Sequence, residues 1–445
     1  MTRSPSRALR RDLYAAGAAA LLVTAAVLVG RHIQDTRHTL FVSWPPLFAN
    51  GDPHLGPGTP AAVLVAAATI AYGPALAARL PWRALLPAAW GTATAWIFSL
   101  ALIDGWHRGI ARRLTTRYEY LQVIDRFDDI PATLRTFTDH ILLGSPDHWP
   151  AHIAGHPPAA TLTFVLLDRI GLRGGGWAGV WCIVVGATAC VAVLVTIRAL
   201  ASETLARRAA PFLVLAPAAV WMGTSADAYF AAVAAWAVAL LALAVTRGSL
   251  WCAGASGLLF GLTCYLSYGL TLVALIAAAV LLPARPRPAL LLPLLAGLAV
   301  VPTLFTLAGF DWWEAYRLLV TRYDQGAGGI RPYGYWVWAN LACTVFITGL
   351  ATVAGLRRTG AVLLVRREGG DRSGARRLAL LVAAALLALL VADLSGMSKA
   401  ETERIWLPFA VWLLPAGAFL THPRAWLAAQ AVLALLLNHL LRTGW

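Results

Sequence analysis

Stretches of about 20 mostly apolar residues, the length one helix needs to cross a bilayer core, recur from Leu13 to the C-terminal end with only short interruptions. A chain patterned this way cannot keep water as its main solvent. Of its 445 residues, 59% are hydrophobic and only 13% charged, and the mean hydropathy is +0.68. The expected fold is all-α, a polytopic transmembrane helical protein of about 13 spans. Residues 1–445 then form a single transmembrane domain without a separate soluble one.

The formal net charge of +15 does not point to nucleic acid. The 36 basic residues, all arginine except Lys399, are spread over many loops instead of gathered in one domain. Their use is membrane orientation and anion handling. The five cysteines, Cys182, Cys190, Cys252, Cys264 and Cys343, lie in apolar segments without metal-ligand spacing and read as core residues. Leu13 to Val29 follows Arg3, Arg7, Arg10 and Arg11 and lacks a small-residue cleavage site, so it reads as a retained anchor.

Basic residues flanking the runs place the N-terminus in the cytoplasm of a plasma-membrane protein. Inside loops carry Arg79 and Arg83, then Arg198, Arg207 and Arg208, then Arg247, Arg285 and Arg287, and a dense group from Arg357 to Arg377. Outside lie an extracytoplasmic loop over 104–158 and further outer loops at 310–335 and 395–404. This assignment requires Ala159 to Arg173, which is short and broken by charges and glycines, to be re-entrant. The first outer loop carries Arg108, Arg112, Arg113, Arg117, Arg126 and Arg135 against the orientation rule. Either a long loop tolerates them, or they make an electropositive surface for anionic lipid head groups.

Within that loop, Ile110, Leu114, Tyr118, Leu121 and Ile124 recur near a helical period, which predicts a helix lying on the outer surface. His148, His152 and His156 follow at spacings of four. On one unbroken helix they would face a zinc ion together, but Pro150, Gly155, Pro157 and Pro158 forbid that helix, so no metal site is expected. A substrate-contacting loop and ordinary interfacial histidines both remain open.

Five acidic or basic segments carry candidate chemistry. Asp104, at the aqueous end of a span, is either a solvated acid or a base able to take a proton from an acceptor hydroxyl or amine. Glu119 and Asp125 are second-choice carboxylates on the surface helix. Asp227, bordered closely by apolar runs, belongs where a cavity offsets its cost. Lys399, Glu401, Glu403 and Arg404 precede a late span, as a charged cap or a cationic clamp on phosphate. Arg317, Arg322 and Arg331, among Trp312, Trp313, Tyr316, Tyr323 and Tyr333, extend that clamp or join an aromatic belt. The phosphate-binding, hydrolase and zinc-protease motifs of soluble enzymes are missing from the sequence.

Asp104 at the head of a long outer loop, His156-Pro157-Pro158 closing it, and Leu215 to Ala244 with its apolar run, polar turn and acid resemble the GT-C superfamily of membrane glycosyltransferases. That superfamily includes protein O-mannosyltransferases, bacterial aminoarabinose transferases and actinobacterial mannosyl- and arabinosyltransferases. Ser395 to Phe409 is similar to late loops of such actinobacterial proteins. The sequence departs from the pattern in having two spans ahead of the Asp104 helix and no acid adjacent to Asp104.

The resemblance implies a glycosyltransferase that moves a hexosyl or pentosyl group from a polyprenyl-phosphate donor to a glycan, lipid or protein acceptor outside the cytoplasm. Asp104 would be its catalytic base. Glu119, Asp125, His152, His156, Asp227, Arg331, Lys399, Glu403 and Arg404 would bind substrate. No cofactor is required, a divalent cation stays open, and membrane lipids rather than nucleic acid are the expected surroundings. The rival reading is a transporter or flippase of lipid-linked saccharides that breaks no bond.

Overall fold

The computed structural model describes residues 5–284, 287–364 and 370–444. Arg3, Arg285, Arg366 and Arg367 lie outside the described residues. The chain runs through α1 (Pro5–Arg37), α2 (Thr59–Arg79), α3 (Trp82–Ala101), α4 (Ala159–Arg169), α5 (Gly174–Leu200), α6 (Glu203–Val214), α7 (Ala226–Arg247), α8 (Leu291–Leu307), α9 (Tyr333–Leu364), α10 (Gly370–Leu394) and α11 (Pro423–Leu440). Among the described residues, eight of the helices (α1, α2, α3, α5, α7, α8, α9 and α10) are long and apolar enough to cross a membrane. Leu250–Leu266, Tyr268–Ala284 and Leu407–Phe419 are shorter apolar helical stretches. The architecture is that of a multi-pass helical membrane protein. One departure from an all-helical chain is a two-stranded antiparallel ladder, β1 (Ala49–Gly51) with β2 (Leu441–Thr443). Pro45, Pro46, Gly51 and Pro53 keep that connection from continuing as helix, and the last residues of the described chain pair with it.

The bundle has two chemically distinct ends. At one, Asp12 is fully buried between Arg357 and Arg358, Arg207 donates to the carbonyls of Ala77 and Leu80, and Arg377 donates to that of Leu200. At the other lie Asp104 and Asp227. The start of α5 packs there so tightly that a Cβ on Gly175 would come within 1.8 Å of the Ala111 carbonyl oxygen.

The short helix α4 decides which residues share that end. With 11 residues it is about 16 Å long, roughly half a bilayer core. It lies along the loop before it: Arg169 at its finish donates to the carbonyls of Phe127 and Asp128, and Thr163 accepts from Tyr229 at the start of α7. Asp104 and Asp227 therefore stand at the same end of the bundle.

Two connections through the bundle are not continuous helices. Residues 203–222 comprise α6, a break through Pro217, and one turn at Ala219–Met222. The late segment is built of one-turn pieces at Thr402–Ile405 and Leu407–Ala410 followed by Leu414–Phe419. Irregular backbone cannot face lipid, because its polar groups would go unpaired. Both segments are enclosed by neighbouring helices, and Gly417 meets Phe212 so closely that a Cβ would stand 2.6 Å from the ring.

The surface helix expected between Asp104 and Pro158 is replaced by a chain of short turns: a π-turn at His107–Ala111, 3-10 turns at Arg113–Thr115 and Tyr120–Phe127, and a short α-helix at Ile130–Arg135. Ile110 and Leu114 are buried as the period requires, but Tyr118 is exposed. Local bonds break the helix, among them Thr115 Oγ1 to the Arg112 carbonyl and the Ala132 amide to Asp129 Oδ1.

Candidate functional site

Asp104 closes the 3-10 turn that finishes α3, and its side chain is 11% exposed. Arg113 Nη2 donates to Oδ2 at 2.8 Å, Arg108 Nε lies 3.5 Å from the same oxygen, and His54 Nε2 stands 3.0 Å from Oδ1. Arg113 also donates to the Thr443 carbonyl at 3.1 Å, which ties the loop to β2. Burial pulls its guanidinium down to about 10 while Asp104 pushes it back up, so it remains a cation at neutral pH. Arg442 of β2 pairs with Asp52 at 2.7 Å. Two guanidiniums thus face one oxygen of Asp104, and a histidine the other.

The second cluster centres on Arg404, whose side chain is 6% exposed. Its Nη1 donates to Asp227 Oδ2 at 2.7 Å, and Nη2 reaches Glu401 Oε2 at 3.1 Å and His152 Nε2 at 2.9 Å. Because a guanidinium only donates, His152 Nε2 must accept, and its hydrogen sits on Nδ1 facing Glu119 Oε1 at 2.9 Å. The result is a line of hydrogen bonds from Glu119 through His152 and Arg404 to Asp227. His156 is enclosed beside it by Tyr120 and Phe230, and burial lowers its ring to about 4, so it is neutral.

The expected residues therefore do not all meet. His152, Glu119, Asp227 and Arg404 join, with His156 alongside. Asp104 lies in its own cluster, and the π-turn that follows it meets the segment before Asp227, where the Gly109 carbonyl accepts from Thr224 Oγ1 at 3.3 Å. Arg331 donates to the carbonyls of Leu40 and Lys399 and lies 3.8 Å from Glu401, while Lys399 Nζ donates to the Gly328 carbonyl. Glu403 turns the other way: it is fully buried and its Oε1 accepts from the Phe48 amide at 2.9 Å. Asp125 is exposed and belongs to neither cluster. Among the described residues no group of three or more His, Cys, Asp and Glu side chains is arranged to hold a metal ion.

Sequence reasoning passed over His54, Asp52 and Arg442. The first two stand in a Gly/Pro-rich stretch between spans, a detectable signal, whereas nothing local marks Arg442. An apolar groove of about 280 Å³ between α2, α3 and α6, lined by Tyr72, Gly73, Leu76, Ala89 and Pro211, reaches Ala77 and Leu80, where Arg207 donates, and takes in no residue of either cluster.

No family model matches the chain, and no curated protein does. Distant likenesses exist among solved structures. The Archaeoglobus fulgidus oligosaccharyltransferase, tethered with an acceptor peptide containing the NVT sequon, is 14% identical over 75% of this chain and 49% of that one, with a TM-score of 0.43. The same enzyme in complex with zinc and sulfate is 15% identical over 74% and 48%, also at 0.43. ArnT from Cupriavidus metallidurans bound to undecaprenyl phosphate is 15% identical over 72% and 58%, with a TM-score of 0.42. The chain spans about half the length of these proteins.

Proposed function

We propose that the chain is a membrane glycosyltransferase of GT-C type, which transfers a sugar from a polyprenyl-phosphate donor to an acceptor outside the cytoplasm, with Asp104 as general base. The observation that carries this reading is the placement of Asp104: a carboxylate at the membrane end of α3, set among Arg108, Arg113 and His54 at the foot of an arginine-rich loop. Asp104 would take the acceptor's proton as the acceptor attacks the anomeric carbon. The bond from that carbon to the phosphate oxygen breaks, and its electron pair leaves with the lipid phosphate. Arg108, 40% exposed, and exposed Arg112 and Arg117 supply positive charge where that negative charge develops. Arg404 is engaged by two carboxylates and a histidine, so its part is to hold Asp227, Glu401 and His152 in place.

By the positive-inside rule, the basic residues at the Asp12 end support a cytoplasmic position for that end. In this reading the chain makes about 13 passes, with the shorter apolar helices, the two broken segments and α11 included. One observation favours the rival transporter reading: broken segments inside a helical bundle are a feature of transporter binding sites. Purified protein incubated with a labelled polyprenyl-phosphate sugar in membranes that supply acceptor separates the two. Release of free lipid phosphate, abolished in Asp104→Asn, is expected of the enzyme. Movement of the intact donor across the bilayer without release would mark the transporter.

A further inference from the structure

The stretch from Asp52 to Gly58 is built to hold one side chain. The Asp52 amide donates to the Leu440 carbonyl at 3.0 Å, the His54 amide to the His439 carbonyl at 2.8 Å, and the Gly58 amide to the Leu102 carbonyl at 3.0 Å. Gly56 presses on the end of α3, where a Cβ would lie 1.7 Å from the Ile103 carbonyl oxygen. Asp52 is further tied by its ion pair with Arg442, and Thr59 Oγ1 by His439 Nε2 at 2.9 Å. The fixed product of these contacts is the His54 ring, 10% exposed, against Asp104.

The ring's tautomer follows from its surroundings. Nδ1 lies 2.7 Å from the Asp52 carbonyl oxygen, which can only accept, so Nδ1 carries the hydrogen. Nε2 is then the side that faces Asp104 Oδ1 at 3.0 Å. With Arg113 and Arg108 directed at Oδ2, Oδ1 and Nε2 face each other across 3.0 Å, both buried and neither with a hydrogen-bond partner among the described residues.

We infer that His54 is a positioning residue that shares with Asp104 the proton removed from the acceptor. This rests on the reading of Asp104 as base. In the active form the pair is empty of that proton: Asp104 is a carboxylate and His54 a neutral ring. As the acceptor attacks, its proton passes to the Asp104 carboxylate, the bond between acceptor and anomeric carbon forms, and the carbon–phosphate oxygen bond breaks with its electron pair on the lipid phosphate. The proton then rests between Oδ1 and Nε2 and leaves to water. Proton and charge balance without a further reactant. Around the pair the charged and titratable groups are Arg108, Arg113, the Asp52–Arg442 ion pair and His439.

The test uses the full chain in proteoliposomes, with labelled polyprenyl-phosphate sugar as probe and lipid-phosphate release read across pH. His54→Asn keeps a donor toward the Asp52 carbonyl, and so the turn, but has no basic nitrogen beside Asp104; His54→Gln fills the Nε2 position without basicity. Both are expected to lower kcat roughly 10- to 100-fold with little change in KM, and to move the acid limb of the pH profile from its wild-type position, because Asp104 alone then sets it. Imidazole added to His54→Gly is expected to restore turnover. Wild-type kcat and pH profile in His54→Asn, or a slow variant that keeps the acid limb at its wild-type position and is not rescued, overturns the inference while Asp104→Asn stays inactive. If Asp104→Asn itself turns over at the wild-type rate, the base reading falls and this inference with it.

Discussion

Arg404 and Asp227, 177 residues apart in sequence, meet at 2.7 Å inside the protein with side chains 6% and 5% exposed. Three carboxylates, Asp227, Glu401 and through His152 Glu119, meet at this one guanidinium, and Glu401 has Arg331 as a second, more distant cation at 3.8 Å. Breaking a buried pair by removing one partner costs roughly 3–5 kcal/mol because the other charge is stranded. The two partners are not equivalent here. Asp227→Asn leaves Arg404 with Glu401 and His152, whereas Arg404→Met strands neighbouring acids against one another. Arg404→Met is therefore expected to lower the melting temperature of the detergent-solubilised protein more than Asp227→Asn, and the double variant to regain part of the loss. Strictly additive losses in the double variant would mean that the pair is not coupled.

Glu403 predicts a pH dependence of opposite sign to that of an ordinary ion-paired acid. Full burial, against the weaker opposing pull of backbone hydrogen bonds that include the Phe48 amide, pushes its carboxyl up to about 7. An acid raised in the folded state binds its proton more tightly there than when unfolded. Its stabilising contribution is complete below the unfolded value near 4.5 and is lost as pH rises through 7, by up to about 3 kcal/mol. Glu403→Gln carries no charge to bury. Its melting temperature is expected to match the wild type at pH 5 and exceed it at pH 8. A wild-type advantage at pH 8 would show that the ionised carboxylate is satisfied.

Membrane residence was legible because it depends on composition and span length, which every segment reports. The position of Asp104 and Asp227 at one end was legible through a single inference, that Ala159 to Arg173 is too short to cross, and α4 has only 11 residues. The surface helix was misread because a periodic apolar pattern records which side chains are buried, not whether the backbone between them is α-helical. Thr115 and Asp129 supply local alternatives that the pattern does not weigh. The partition into two clusters was beyond reach. Whether Arg404 meets Asp104 or Asp227 is set by how broken segments pack, and His54 with Arg113 and Thr443 converge from three distant parts of the chain.

Arg113 serves two partners with one planar group, Asp104 through Nη2 and the Thr443 carbonyl through Nη1. A lysine ammonium is a point charge on a flexible stem and cannot reproduce that fork. Arg113→Lys is expected to keep the fold and reduce lipid-phosphate release at least tenfold, and Arg113→Met to reduce it further and lower the melting temperature. Equal activity in wild type and Arg113→Met would exclude Arg113 from organising Asp104.

Gly56 tests whether the platform matters independently of the charges it holds. A Cβ there would enter the Ile103 carbonyl at 1.7 Å, and a backbone atom at the end of a packed helix cannot yield as a flexible side chain can. Gly56→Ala must therefore displace the Asp52–Gly58 stretch and carry His54 away from Asp104. Gly91, within α3, has open space around its Cβ position, so alanine there meets nothing and favours the helix by up to about 1 kcal/mol. The pair is expected to separate stability from activity. Gly91→Ala should melt at or above the wild-type temperature with unchanged turnover. Gly56→Ala should lose turnover out of proportion to its loss of stability, with a pH profile that approaches that of His54→Asn. An active Gly56→Ala with the wild-type profile would mean that the contact of His54 with Asp104 is incidental to the chemistry.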